Sequence, residues 1–180
     1  MDNHTVAEAA KKVLTELFRD LEAAEARTGV VNLREAAVAE MAKYLIYLAE
    51  SDGRIKWAEA RIIKEYLDLD MQPEEVRGFL KEEEHFDDAF EGEFPSLFKM
   101  LIETDNRFYA KGRRESMCAS EWMLAAYKCL GISLVEADGE ISAGENRKIR
   151  AFIQKLEEYL ETNLLSDKEK KLKKRRADNE

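Results

Sequence analysis

The strongest constraint on the fold is an internal repeat, in which two stretches of the chain match at an offset of 86 residues. Residues 44–67 align with residues 130–153. The identical pairs are Ile46 and Ile132, Leu48 and Leu134, Glu50 and Glu136, Asp52 and Asp138, Gly53 and Gly139, Ile55 and Ile141, Glu59 and Glu145, Arg61 and Arg147, and Ile63 and Ile149. Each copy predicts an apolar helix, a turn at Asp-Gly and an amphipathic helix. Because one such pair leaves an apolar face exposed, two pairs that cover each other are the economical fold.

The composition agrees with a helical protein. The chain has 180 residues, of which 45% are hydrophobic, but only 2 Pro and 8 Gly. A β-sandwich needs turn residues about every 8–12 positions and would use more of both. Two segments, residues 36–50 and 115–135, are apolar nearly all round and should form central helices. We therefore predict an all-α, compact helical bundle with two pseudo-symmetric helix–DG turn–helix repeats.

Three regions follow from the pattern along the chain. Residues 1–29 are predicted to form an N-terminal helical extension that ends near Gly29. Residues 30–165 should form the helical domain, whose first helix has a plausible capping box at Asn32-x-x-Glu35. Residues 166–180 hold seven basic and four acidic side chains and almost no apolar ones, so we expect a disordered basic tail.

The charge balance favours some partners over others. The whole chain carries a formal charge of -9, so residues 1–165 are more acidic still. A body this acidic repels phosphate backbones, which disfavours nucleic-acid binding and favours cations or basic protein surfaces. The basic tail suggests at most a peripheral contact with an anionic membrane surface, because no run approaches the 18 or so apolar residues of a membrane span. The oligomeric state stays open.

The cysteines indicate a reducing compartment. Cys118 and Cys129 are predicted to lie on one helix, about 16 Å apart at 1.5 Å per residue, which is too far for a disulfide. The N-terminal stretch has no apolar segment that could serve as a signal peptide. These two observations predict a cytoplasmic protein with free thiols.

The acidic turns are the candidate site. Each copy resembles the later part of an EF-hand calcium loop, which ends in a Gly, a buried Ile and a ligating Glu. The candidate metal ligands are Glu50, Asp52 and Glu59 in the first copy and Glu136, Asp138 and Glu145 in the second. Leu48 and Leu134 stand where the first oxygen ligand would be, so ordinary EF-hand binding is disfavoured. Any cation held there should be Ca²⁺ or Mg²⁺, because neither turn contains His or Cys.

A structural role would also explain these acids. An Asp in an Asp-Gly turn accepts hydrogen bonds from nearby backbone N–H groups. Ser142-x-x-Glu145 is a capping box, which accounts for Glu145 without a ligand. Glu59 has no such partner, since Lys56 stands at the matching position. The sequence therefore leaves both interpretations open.

The repeated unit is similar to the tellurite-resistance TerB-like family. The matching segments are residues 49–59 and 135–145, and the resemblance extends over roughly residues 33–160. It implies a helical bundle with a duplicated core and an acidic surface, a role in stress-response or membrane-associated protein complexes, and interaction with divalent metals. The helix before Gly29 and the basic tail lie outside the family pattern. Lys56 and Trp57 also depart from the small residues that the second copy has there.

Enzyme chemistry has little support. The two histidines, His4 and His85, have no nucleophile pattern around them, and Glu82-x-x-His85 is only half of a di-iron signature. There is no Gly-rich phosphate loop. The leading hypothesis is a non-enzymatic interaction module with a protein partner in a stress-response or defence complex. The alternative is a divalent-cation-responsive sensor that uses the acidic turns, with a carboxylate-based enzyme a distant third.

The cation hypothesis predicts a thermal shift. With a Kd of about 0.1–1 mM, 10 mM Ca²⁺ should raise the melting temperature by about 3–10 °C, because the cation binds the folded state alone. The double substitution Asp52→Asn with Asp138→Asn should abolish the rise. Differential scanning fluorimetry, with NaCl at matched ionic strength as the control, measures it. A wild-type protein that gives no Ca²⁺-specific shift would show that these acids do not form a cation site.

Overall fold

The computed structural model describes residues 3–49, 57–69, 74–75, 94–109, 117–137 and 143–165. Long helices account for most of these residues, and no strand occurs among them. The helices are α1 (Asn3–Thr28), α2 (Leu33–Ala49), α3 (Trp57–Leu67), α4 (Ser96–Tyr109), α5 (Ala119–Ala137) and α6 (Ala143–Asn163). The predicted all-α fold is confirmed.

Helices α2 and α5 lie at the centre of the bundle. Each of them contacts all five of the other helices. Most of their side chains are buried, as the apolar composition of both segments predicts, and the largest include Tyr44, Leu45 and Tyr127. The other helices form the outer layer and turn one apolar stripe inward, which explains why their sequences are amphipathic.

Helix α1 belongs to this same core. It buries Ala10, Leu14, Leu17 and Leu21, which are spaced by three or four residues and therefore share one face. That face packs chiefly on α5. The helix ends at Thr28, and Gly29 follows with a φ of 73°, a left-handed conformation that glycine adopts at little cost. The predicted end near Gly29 is confirmed, and the N-terminal helix forms one wall of the bundle.

Side chains from neighbouring helices cap several helix ends. The N–H of Leu33, the first residue of α2, donates to the carboxylate of Glu25 on α1. Asn32, which the sequence suggested as the cap, has a φ of 65°, outside the extended range usual for a capping residue. The start of α2 was therefore predicted correctly, but its capping group comes from another helix.

The N-termini of α4 and α5 are also capped by a carboxylate from another helix. The N–H of Leu97 in α4 donates to Glu40 Oε2 of α2 at 3.1 Å, and the N–H of Ser120 in α5 donates to Asp105 Oδ2 of α4 at 2.8 Å. At the C-terminus of α6, the side-chain amide of Asn106 donates to the carbonyl of Asn163 and accepts from the N–H of Leu165. Unsatisfied groups at helix ends are costly when buried, so these contacts fix how the helices meet.

The two repeats differ in burial. Ile46 is 2% exposed, whereas its counterpart Ile132 is 46% exposed. Ile63 is buried, and its counterpart Ile149 is half-buried. The superposition of the repeats about a pseudo-twofold axis stays a prediction, and the part of the second copy that faces outward is more accessible than its equivalent in the first.

Some predictions fall on residues outside the described ranges. They include the two Asp-Gly turns with Gly53, Gly139, Ile55 and Ile141, and the basic tail at residues 166–180. Within the described ranges, none of the helices combines the length and apolar content required to cross a bilayer.

An unusually close contact joins the two central helices. A Cβ added to Gly131 of α5 would lie 2.7 Å from Tyr44 Oη of α2 and 3.4 Å from Ile149 Cγ2 of α6. The Tyr44 ring is stacked on Phe152 at 4.8 Å and meets Tyr127 edge-on at 5.0 Å, so it has little room to shift. Glycine is therefore required at position 131 by space rather than by backbone conformation.

This contact predicts that the effect of Gly131→Ala on stability depends on the hydroxyl of Tyr44. Gly131→Ala should destabilise the protein by up to about 2 kcal/mol, because overpacking costs about 1–3 kcal/mol and the gain in helix propensity returns only about 1 kcal/mol. In a Tyr44→Phe background the hydroxyl is gone, so the same substitution should be neutral or stabilising. Urea unfolding of the four proteins measures the coupling. Equal effects in both backgrounds would contradict the contact.

Candidate functional site

The structure places only part of the predicted acidic site. Glu50, Asp52 and Asp138 lie outside the described residues, and for Glu59 the structure describes the α3 backbone but not the side chain. Glu136 lies half-buried in the last turn of α5, and Glu145 lies in the first turn of α6 with 3% exposure. The clustering of each trio of carboxylates therefore stays a prediction.

Metal binding has no geometric support in the described part of the chain, where no three His, Cys, Asp or Glu side chains are arranged to hold an ion. The position of Glu145 agrees with a capping role, because a carboxylate is stabilised in the first turn of a helix by the N-terminal backbone N–H groups. Ca²⁺ or Mg²⁺ binding by the six acids stays a hypothesis that the thermal-shift experiment decides.

A small cavity brings residues of the two repeats together. It has a volume of about 140 Å³ and lies between α1, α3 and α5. Its apolar wall includes Val6 of α1 and Ile62 and Tyr66 of α3, and its polar groups are Arg61 of α3 and Ser133 and Glu136 of α5. Ser133 and Glu136 are three residues apart and so face the same side of α5.

The polar groups of this cavity have no partner among the residues that the structure describes. Ser133 is 5% exposed, and its Oγ has no hydrogen-bond partner. Arg61 and Glu136 carry opposite charges, yet neither forms an ion pair with a side chain in the described ranges. A buried hydroxyl without a partner is uncommon in folded proteins, so this cavity is the first candidate for a binding site.

A second polar cluster lies at the centre of the bundle. Tyr127 Oη donates to Glu40 Oε1 at 2.8 Å, while Glu40 Oε2 accepts the N–H of Leu97. Burial raises the pKa of Glu40, and the bonds from Tyr127 and the α4 backbone oppose that rise. Burial, with the nearby Glu40 carboxylate, also raises the pKa of Tyr127, which therefore stays a hydrogen-bond donor. The cluster has a structural role, since it joins three helices.

The cysteines are not reactive. Cys118 precedes α5, where its backbone N–H and thiol both contact Glu121 Oε2, at 3.0 and 3.3 Å. Burial, with the adjacent carboxylate of Asp105, raises the pKa of the Cys118 thiol to about 12. Burial also raises the pKa of Cys129. Both are free, as predicted, and both are protonated thiols near neutral pH, which makes them weak nucleophiles.

An apolar groove runs along the outer side of α5 and α6. Its volume is about 500 Å³, and its floor is formed by Ile132, Ile149 and Ile153. Lys128 and Arg150 lie at its rim, where Lys128 forms an ion pair with Glu157. We refer to this surface as the α5–α6 groove. It is lined by Lys128, Ile132, Ile149, Arg150, Ile153, Gln154 and Glu157.

Comparison of the chain with protein-family models, with curated proteins and with solved structures finds no match. The resemblance to the TerB-like family thus rests on the repeated Asp-Gly units of the sequence, and it stays a prediction. Any function must therefore be argued from the cavity, the groove and the charges of this chain.

Two residues that matter in these sites, Glu40 and Ser133, were not predicted. Each lies within a segment that is apolar nearly all round, and its polar character was the available signal. Asp105 gave no such signal, because its sequence neighbours, Glu103 to Arg107, are also polar. The structure places Arg61 on the same cavity as Glu136.

The Glu40 cluster predicts a pH-dependent stability difference. Because the folded protein holds the Glu40 proton more tightly than the unfolded chain, its contribution is fully present below the ordinary pKa of 4.5 and is lost as pH rises through the raised value. Wild type should thus lose stability relative to Glu40→Gln over that rise. Tyr127→Phe, which leaves Glu40 Oε1 without its donor, should cost about 1–3 kcal/mol near neutral pH.

Urea unfolding between pH 4 and pH 8 tests both expectations. Glu103→Gln, at an exposed position on α4, is the control and should keep the wild-type pH dependence. A Glu40→Gln protein whose stability runs parallel to wild type across this range would contradict the buried carboxylate.

Proposed function

We propose that this chain is a non-enzymatic, TerB-like interaction module, which acts in a stress-response or defence complex by binding a helix of a partner protein. The observation that carries the proposal is the α5–α6 groove, whose floor consists of three isoleucines. Ile132 on this floor is 46% exposed although it is a large aliphatic side chain.

Comparison with the first repeat indicates that a partner covers this groove. The counterparts of Ile132, Ile149 and Ile153 are Ile46, Ile63 and Leu67, at the same offset of 86 residues. All three counterparts are buried inside the bundle. The second copy keeps the same aliphatic character while its side chains remain accessible, which is the pattern of a surface that a partner covers.

The shape and charge of the groove define that partner. A groove between two helices accepts the apolar face of a third helix, with aliphatic side chains spaced by three and four residues. Lys128 at the rim is paired with Glu157, so Arg150 gives the lining residues a net positive charge of one. The partner helix should therefore carry Asp or Glu beside its aliphatic stripe.

The chemistry of the described side chains agrees with a binding role. The two thiols have raised pKa values and are buried or half-buried, so neither is an activated nucleophile. Glu40 and Asp105, whose pKa values burial raises, each accept a backbone N–H at a helix start. These two side chains therefore have a structural role, because each caps the start of a neighbouring helix.

Peptide binding tests the proposal directly. A helical peptide with Leu at positions i, i+3 and i+7 and flanking Glu should bind with a micromolar Kd, whereas the same peptide with flanking Lys should bind at least tenfold more weakly. Ile132→Ser should weaken the first peptide by about tenfold, because roughly 1–2 kcal/mol of apolar contact is lost. Isothermal titration calorimetry gives these constants.

Val31→Ser is the matched control, since Val31 is also an exposed aliphatic residue but lies between α1 and α2, away from the groove. Protein captured from extracts of the source organism supports the proposal only if Ile132→Ser loses it and Val31→Ser keeps it. If sedimentation shows a dimer of this chain that Ile132→Ser dissociates, the groove joins two copies and the partner-helix proposal is wrong.

A further inference from the structure

We infer that the cavity between α1, α3 and α5 binds a small zwitterion, namely an α-amino acid with a short aliphatic side chain. The inference rests on the juxtaposition of an unpaired guanidinium, an unpaired carboxylate and a buried unpartnered hydroxyl on one small cavity. It uses different residues from the α5–α6 groove, so it does not depend on the proposed partner helix.

The size of the cavity limits the ligand. Its volume of about 140 Å³ corresponds to roughly five water molecules at about 30 Å³ each. Sites for nucleotides and drug-sized molecules usually measure about 300–1,000 Å³. The cavity therefore suits a compact molecule, and a nucleotide, a sugar phosphate or a peptide is too large to enter it whole.

The charges specify both ends of that molecule. Arg61 and Glu136 have opposite charges and line the same cavity, but they do not approach closely enough to pair with each other. A ligand carboxylate can bind the Arg61 guanidinium through two N–H donors. A ligand ammonium can donate to the Glu136 carboxylate. A molecule with only one charge would leave one of these two side chains uncompensated.

Ser133 supplies the central polar contact. Its hydroxyl can donate one hydrogen bond and accept others, and within the protein it does neither. It lies one helical turn from Glu136 on the cavity-facing side of α5, where it can reach the same polar end of a ligand. Opposite these groups, Val6, Ile62 and Tyr66 form an apolar wall that accepts an aliphatic side chain.

Three matched ligands separate the contributions. Valine carries both charges, isobutylamine lacks the carboxylate, and 3-methylbutanoate lacks the ammonium group, while the aliphatic part is nearly the same in all three. Calorimetric titration and thermal shift should show binding of valine. At a concentration one hundred times its Kd, the melting temperature should rise by about 5–10 °C, and either single-charge analogue should bind at least tenfold more weakly.

Substitutions locate the binding in this cavity. Arg61→Gln, Glu136→Gln and Ser133→Ala should each weaken valine binding by at least about tenfold, since each removes a hydrogen bond to or near a charged group. The matched control for Arg61 is its repeat counterpart, Arg147→Gln, at an exposed position on α6, and the control for Glu136 is Glu103→Gln on α4. Both controls should bind valine as wild type does.

Ser133→Ala keeps the test decisive if a charge variant folds poorly. It removes a hydroxyl that has no hydrogen-bond partner in the protein. The melting temperature without ligand should therefore stay unchanged or rise. Binding of valine by wild type and its loss in Ser133→Ala would support the inference. The absence of a shift for every amino acid up to 50 mM would mean that the cavity holds only water. Equal binding of valine and 3-methylbutanoate, or binding that survives all three substitutions, would also overturn it.

Discussion

The carboxylate of Glu40 is the contact on which the arrangement of the bundle depends. One of its oxygens accepts from Tyr127 of α5, and the other accepts from the first turn of α4, so a single side chain of α2 fixes three helices. Removing a carboxylate from water is unfavourable, which is why burial raises its pKa. The donors at both oxygens offset that cost, and they do so only when the helices have this mutual orientation.

Glu25 and Asp105 extend the same principle to the starts of α2 and α5. Apolar packing alone would let helices slide or rotate against one another, because the hydrophobic effect has no direction. Hydrogen bonds from a helix end to a carboxylate on its neighbour do have a direction and a length. They therefore select one packing of the apolar surfaces, and they link each helix to one that comes earlier in the chain.

The sequence was sufficient for the fold class and for most helix boundaries. Periodicity located α1 and its end at Gly29, and the two apolar segments identified the central helices α2 and α5. The capping residues were missed because a helix cap supplied by another helix leaves no local pattern, as Asn32 and Glu25 illustrate. The cavity was missed for a similar reason, since Arg61 and Glu136 are far apart in sequence and meet only through tertiary packing.

The two aligned segments are covered differently in the bundle. An apolar helix pair must be covered, and the first copy is covered within the bundle, as the burial of Ile46 and Ile63 shows. The second copy is covered on its inner side, where Leu130 and Leu134 are buried. On its outer side Ile132 is exposed. Aligned residues such as Ile46 and Ile132 therefore differ strongly in accessibility.

The packing of α1 on α5 has a consequence for synthesis. Residues 3–28 leave the ribosome well before the helix that covers their apolar face, which begins only at Ala119. At translation rates of about 5–20 residues per second, the stripe of Leu14, Leu17 and Leu21 waits roughly 5–20 seconds for its partner. During that interval a nascent chain exposes an amphipathic helix, which is the kind of segment that chaperones bind and that associates between neighbouring chains on a polysome.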